Sequence, residues 1–304
     1  MEQVAKTEKK QRGHLGLRIF RTICLVFAVI FTFLSVCTIF LIVAESVVDR
    51  TARVTPSYEK TDISELIYQS EWTEEEYETL RRQTGLSHSV LDDLRGNERL
   101  LDFQEALFFK GELYHEAASD FTPHDKLRNP ETGSDFEAPI VPLEAGDVIV
   151  TSTCHTFGWR NGHAALVTKT STTGGFVLES ITIGYDSAVT SSGVLWFRQS
   201  SNFLVLRLKD APEALRAQIA SSAVERLVGI PYSLKIGLFT AKNQCLNTNI
   251  PVGTNCSHLV WQAFKNAGYD IDSDGGPVCT TRDIAKSPLF EIIQVYGFDV
   301  DKLW

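Results

Sequence analysis

The chain has 304 residues, 43% hydrophobic and 22% charged, with a net charge of −9. Its first 44 residues hold six bases (Lys6, Lys9, Lys10, Arg12, Arg18, Arg21) against Glu2 and Glu8, so residues 45–304 carry −13. A surface that acidic repels nucleic acid and anionic lipid headgroups and offers no basic stripe for phosphates, which excludes nucleic acid as a partner.

Residues 1–21 read as a basic tail, and Thr22 to Ala44 is a run of 23 residues without a charge, rich in Phe, Ile, Leu and Val. As a helix it spans roughly 34 Å, enough for a bilayer core, and is expected to be a single transmembrane anchor. The positive-inside bias then keeps the N-terminus cytoplasmic and puts the rest of the chain outside, at the cell membrane. A cleaved signal peptide is the competing reading, but secretory apolar regions usually run about 7–15 residues and Ile42-Val43-Ala44 makes a poor cleavage site. Cys24 and Cys37 lie in the span, leaving Cys154, Cys245, Cys256 and Cys279 outside. Four cysteines over that length are too sparse for a disulfide framework, although Cys245 with Cys279 could form one bridge.

Residues 45–62 are mostly polar, carry Pro56 and suit a stalk. Residues 63–142 read as a helical region followed by a wrapping loop. Thr73 with Glu76 is a capping box whose helix should stop at Gly85. A second helix fits Ser87 to Leu94, ending at Gly96, and Leu100 to Tyr114 has helical spacing for a third. Thr122 to Pro142, with four prolines, reads as loop. After Gly146 the pattern turns to short β-rich runs at Asp147–Thr151, His163–Thr168, Phe176–Ile181, Gly193–Phe197 and Asn202–Leu208. Helices then fit Pro212–Val228 and Cys256–Ala267, and a last strand fits Glu291–Tyr296. The expected class is α+β, an antiparallel sheet or small barrel packed on helices, in a domain covering residues 143–304.

Cys256 follows the capping residues Thr254 and Asn255 and shares the buried face of the stripe Leu259, Val260, Ala263, Phe264 and Ala267. A thiol at a helix N-terminus feels the positive end of the macrodipole, which favours the thiolate. A small buried core cysteine is the plain alternative. His163 shares a strand face with Ala165 and Val167. If the following hairpin is centred on Ser171, Glu179 stands directly opposite, with Cβ atoms about 5 Å apart, as an imidazole-orienting carboxylate or as a mere cross-strand pair. Cys154 and His155 point to opposite faces and read as structural. His258 lies about 200° round the helix from Cys256 and reads as a packing or surface residue. Asp270, Asp272, Asp274 and Gly275 match half of a calcium loop, but Thr281 occupies position 12, so a polar turn is the simpler reading. No His and Cys spacing points to zinc, and no metal or cofactor is expected.

The stretch Gly229-Ile230-Pro231-Tyr232, then Asn255-Cys256-Ser257 and Gly268-Tyr269-Asp270, resembles the nucleophile half of NlpC-type cell-wall peptidases. Gly146-Asp147-Val148-Ile149 and Gly158-Trp159-Arg160-Asn161-Gly162-His163, preceding that half, resemble the circularly permuted YiiX/YaeF-type papain-like amidases, as does Thr281 to Pro288. The resemblance covers about Gly146 to Trp304. It implies a permuted papain-like fold, with Cys256 as nucleophile, His163 as general base and Glu179 as its orienting residue. Tyr232 would line the pocket or bind the oxyanion, with Trp159 and Asn255 as further substrate-binding positions; Asn255 stands where the cell-wall enzymes carry Asp. The expected activity is a membrane-anchored extracytoplasmic cysteine amidase or peptidase that acts on a peptide, cell-wall peptide or acyl-amide through an acyl-enzyme. A lipid amidase, thioesterase or acyltransferase would show an apolar groove near Tyr232 and Trp159. An idle domain that binds peptide or wall fragments need not keep Cys256 within reach of His163, and a separation well beyond roughly 4–5 Å would favour that reading.

Overall fold

A computed structural model describes residues 2–48, 53–118, 122–156, 159–171, 174–246 and 252–302. It divides into two units, Met1–Arg50 and Thr51–Trp304. The first is one helix, α1 (Glu2–Val48), longer than the expected span because the Lys, Glu, Gln and Arg of the tail are themselves good helix formers. Its segment Leu17–Phe40 has a mean hydropathy of 2.8 with nothing buried. That is long and apolar enough to cross a membrane, and a signal sequence has the same character.

In the second unit, α2 (Ser64–Ile67), α3 (Glu74–Thr84), α4 (His88–Asp93) and α5 (Arg99–Phe108) come first. The expected capping box is present, Thr73 accepting from the Glu76 amide and Glu76 from the Thr73 amide. Helix α3 stops at Gly85, whose φ is +75°. The third helix is shorter than its apolar spacing implied. Beyond Lys110-Gly111 the hairpin β1 (Glu112–Ala118) and β2 (Thr122–Arg128) replaces the expected helix end and part of the expected loop.

Strands β3 (Val148–Thr151), β4 (His155–Thr156), β5 (Trp159–Arg160), β6 (His163–Ser171), β7 (Gly174–Glu179) and β8 (Ala188–Thr190) follow. Then come α6 (Gly193–Gln199), β9 (Phe203–Leu208), α7 (Glu213–Leu227), α8 (Cys256–Asn266), α9 (Thr281–Lys286) and β10 (Phe290–Tyr296). Residues 193–197 are helical and not a strand: a short apolar run fits either period, and Val194 with Phe197 buries one helical face.

Six strands form an antiparallel sheet in the order β10-β9-β3-β6-β7-β8. Alternation splits its side chains between two cores. Val148, Val150, Ala164, Leu166, Leu178, Leu204 and Leu206 pack with α7, α8 and α9 through Leu259, Trp261, Phe264 and Ile284. Ile149, Ala165, Val167, Val177, Phe203 and Val205 pack with α2–α6 through Ile67, Leu80, Leu91, Phe103 and Phe197. The class is mixed α+β, and the helical region is one wall of the sheet's own core.

Two further expectations change. Residues 53–60 are no free stalk: the Arg53 guanidinium donates to the Ser201, Ala106 and Phe109 carbonyls and lies 4.5 Å over the Tyr296 ring. Cys279 is a buried free thiol, so it does not bridge to Cys245, whose side chain lies outside the described residues.

Because the helical region and the sheet share a core, residues 51–304 should unfold in one transition. Phe103→Ala should cost about 3–5 kcal/mol of the whole, and Phe239→Ala, at an 86% exposed position, about 0.5 kcal/mol or less. Denaturant unfolding followed by tryptophan fluorescence and by circular dichroism checks this, and separate transitions for helices and sheet would contradict it.

Candidate active site

The site lies where β6 begins and α8 begins. Helix α8 covers one face of the sheet, whereas Ala165 and Val167, the face-mates of His163, pack on the other, so thiol and imidazole meet around the strand end. Asn255 caps α8 with its side-chain oxygen, which accepts from the His258 amide at 2.9 Å and the Ser257 hydroxyl at 3.1 Å. That oxygen serves the helix end, and Cys256 becomes the first helical residue. The Cys256 thiol is near enough to the His163 ring and to the Ala164 and Ser257 amides for each of them to favour its ionised form.

His163 follows Gly162, which no other residue can replace without strain. Its φ is +68°, and a Cβ there would lie 2.3 Å from the Thr151 carbonyl oxygen. The His163 Nε2 is 2.8 Å from Glu179 Oε2. Phe197 stacks along the ring at 5.6 Å and Trp196 meets it edge-on at 5.2 Å, both from α6. Glu179 Oε1 accepts the Thr190 hydroxyl.

Glu179 reaches His163 by a different register from the expected one. Leu166 pairs with Leu178 and Val167 with Val177, a shift follows before Lys169, and Ser171 itself pairs with Gly174, so the hairpin is not centred on Ser171. Glu179 is therefore two residues from the position directly opposite His163. A two-residue slip preserves the face, and the diagonal neighbour is within reach of two long side chains.

Cys256, His163 and Glu179 are each 6% exposed, so their charges stabilise one another with little help from water. Burial alone would depress the His163 pKa, but its interactions as a donor to Cys256 and Glu179, and their negative charges, raise it to about 10. Burial would raise the Cys256 thiol, and the His163 hydrogen bond and charge outweigh it and bring it down. Burial also works against the Glu179 carboxylate, and His163 and Thr190 outweigh that as well. The three side chains thus favour one another's charged forms.

A cavity of about 150 Å³ opens on these groups, lined also by His124, Cys154, Thr190 and Trp196. Cys154 and His155 do point apart: His155 Nε2 is 3.0 Å from Asp125 Oδ2. Cys154, however, faces the cavity, where burial and then the Cys256 charge push its thiol far up, so it stays protonated. Tyr232 is nearby, its hydroxyl raised by burial and then by the charges of Cys256 and Cys154, and it remains a donor. The Trp159 side chain lies outside the described residues. His258 is buried away from the cavity, bonded to the Thr254 hydroxyl at 2.9 Å and the Lys242 carbonyl at 3.1 Å. His124, Cys154 and Trp196 are additions to the cavity that no local pattern announces, since each arrives from a separate segment.

Among the described residues, two clusters gather three ligand-type side chains, His115, Asp125 and His155 in one and Asp272, Asp274 and Asp283 in the other. Each already holds a protein cation. The Arg160 guanidinium is 2.7 Å from Asp125 Oδ2, and the Lys242 ammonium pairs with Asp272. In the half calcium loop, Asp270 is taken by Trp261 Nε1 at 2.9 Å and Lys265 at 2.7 Å, and Asp274 by the Gly276 amide.

No family model and no curated protein matches the chain. Among solved structures, the metalloprotein yiiX of Escherichia coli O157:H7 is similar at a TM-score of 0.40 and 12% identity, over 52% of this chain and 99% of that one. Likeness at that level fixes neither fold family nor activity.

Glu179→Gln keeps an acceptor for Nε2 but removes the charge that holds the imidazolium. A charge-assisted hydrogen bond is worth about 1.5–3 kcal/mol, so alkylation of Cys256 by iodoacetamide at neutral pH should slow roughly 10- to 100-fold. An unchanged rate would show that Glu179 plays no part in ionising the thiol.

Proposed function

We propose that the chain is a cysteine hydrolase of the permuted papain-like kind, resembling the YiiX/YaeF-type amidases, with α1 as its membrane anchor and residues 51–304 on the extracytoplasmic side. The observation that carries this reading is the His163 imidazole held between a buried Cys256 sulfur and a buried Glu179 carboxylate beside an open cavity.

The Cys256 thiolate attacks the carbonyl carbon of an amide, forming the C–S bond as the carbonyl π pair moves to oxygen. The Tyr232 hydroxyl and the Cys256 N–H are the donors for that oxyanion. As the C–N bond breaks, the His163 imidazolium gives its proton to the departing nitrogen. Water then attacks the thioester while neutral His163 takes its proton, which releases the acid and restores the ion pair. Glu179 keeps Nε2 protonated throughout and balances the imidazolium charge.

The substrate class is a peptide, a cell-wall peptide or an acyl amide. A second reading, an acyl-lipid substrate, is favoured by one feature. Ile181, Ile183 and Tyr185 in one loop and Leu234, Leu238 and Phe239 in another are exposed, and Tyr232 ties the two segments together through its amide to the Tyr185 carbonyl at 3.1 Å.

Incubating the full chain in detergent with peptide amides and acyl lipids should give turnover and a thioester adduct on Cys256 by mass spectrometry. Cys256→Ala should abolish both, and His163→Asn should lower turnover roughly 10²- to 10⁴-fold. Turnover unchanged by Cys256→Ala would sink the proposal, and lipid turnover without peptide turnover would favour the second reading.

A further inference from the structure

Outside α1, the exposed apolar side chains are not scattered over the surface. Among the described residues from 53 onward, nine of the twelve exposed large hydrophobics lie on three short segments, 181–189, 228–239 and 252–254. Backbone hydrogen bonds lace these segments side by side. The Gly229 and Tyr232 amides donate to the Ser187 and Tyr185 carbonyls at 2.8 and 3.1 Å, and the Thr254 amide donates to the Pro231 carbonyl at 2.9 Å. They form one patch, and it borders the cavity, because Ile181 is part of the cavity wall.

The most exposed members sit on two tight turns. In the first, the Tyr185 amide closes on the Thr182 carbonyl at 3.2 Å, Gly184 has a φ of +91°, and Ile181, Ile183 and Tyr185 are each more than half exposed. In the second, the Lys235 carbonyl accepts from the Leu238, Phe239 and Thr240 amides, and Leu238 and Phe239 are 68% and 86% exposed. Turns that satisfy backbone groups internally lose less on leaving water, while their apolar tips gain by it. Charge favours the same step. Residues 45–304 carry −13, yet the three segments hold only Asp186 and Lys235, so the patch is neutral where the rest of the surface is acidic.

The chain itself supplies an apolar partner. Leu17–Phe40 is apolar enough to cross a bilayer, and 13 residues lead from Phe40 to Arg53, which is fixed on the domain through three carbonyls. At roughly 3.5 Å per residue that stretch reaches no more than about 45 Å, so a bilayer that takes the helix stays within range of the domain at high effective concentration. Large contiguous apolar patches on a soluble surface mark such interaction sites.

We propose that the turns at Ile183 and Phe239 insert into the bilayer that holds α1, so that the cavity opens at the lipid interface. This rests on α1 as the anchor and holds for either substrate class. The test places an indole on the patch in the full chain, reconstituted in phosphatidylcholine vesicles. Phe239→Trp and Ile183→Trp are compared with Tyr68→Trp, an exposed position outside the patch, each read against the tryptophans of the unsubstituted chain. Emission added at 239 and 183 should lie at shorter wavelength than that added at 68 and should be lost when the lipid acyl chains are brominated, whereas emission added at 68 should be lost to acrylamide. Leu238→Asp beside Phe239→Trp should return that indole to acrylamide, since a carboxylate in hydrocarbon is costly. Acrylamide quenching at 239 and 183 as strong as at 68 would overturn the proposal. So would protection from both quenchers, the result that a second copy of the chain covering the patch would give. Release of the chain from the vesicles by alkaline carbonate would overturn the anchor reading, and this proposal with it.

Discussion

The site depends on one buried imidazole satisfying two buried anions. Taking Cys256, His163 and Glu179 out of water is expensive for each charge alone, and only their adjacency makes the charged forms stable. Removing any one of them strands the others, which is a larger loss than that of a single contact. The same dryness makes the thiolate useful, since an anion poorly solvated by water is favoured instead by the nearby Ala164 and Ser257 amides and the imidazole.

The backbone is shaped to hold that line. His163 is presented by a strand that can start only because Gly162 turns with positive φ against the Thr151 carbonyl. Cys256 is presented by a helix whose first turn is tied down by Asn255. Helix α6 backs the imidazole with Trp196 and Phe197. It begins at Gly193, where a Cβ would lie 2.2 Å from Val177 Cγ2 and 3.1 Å from Glu179 Oε1. Elements from both faces of the sheet thus converge on its end, and the helical region stiffens this convergence from one side through the core it shares with the sheet.

Local signals account for what was legible in the sequence. The caps at Thr73 and Asn255, the stop at Gly85 and the alternation in β6 are properties of a few adjacent residues, and each stands in the structure. Glu179 was found by parity although the hairpin register was two residues off, because a slip of two leaves every side chain on its own face. The failures share a physical origin. Residues 193–197 are too short for period to separate helix from strand, and burial of Val194 and Phe197 decided them, whereas residues 112–118 were decided by pairing with β2. His124 and Cys154 enter the cavity from segments that read as loop, through pairing with each other across a bridge that only the tertiary fold creates. The packing of residues 53–60 rests on long-range contacts, Arg53 reaching three carbonyls and Val54 and Tyr58 adding a carbonyl each, which no composition reveals.

The central claim is that Cys256 is a thiolate in the resting protein because His163 is an imidazolium beside it. Titrating the thiolate ultraviolet absorbance in the full chain, with Cys256→Ser as the blank, reads this directly. The thiolate should persist below the ordinary thiol pKa of 9.0, vanish only as pH falls through the depressed value, and shift to or above 9.0 in His163→Asn. A wild-type thiol that ionises at 9.0 or higher, unchanged by that substitution, would contradict the account.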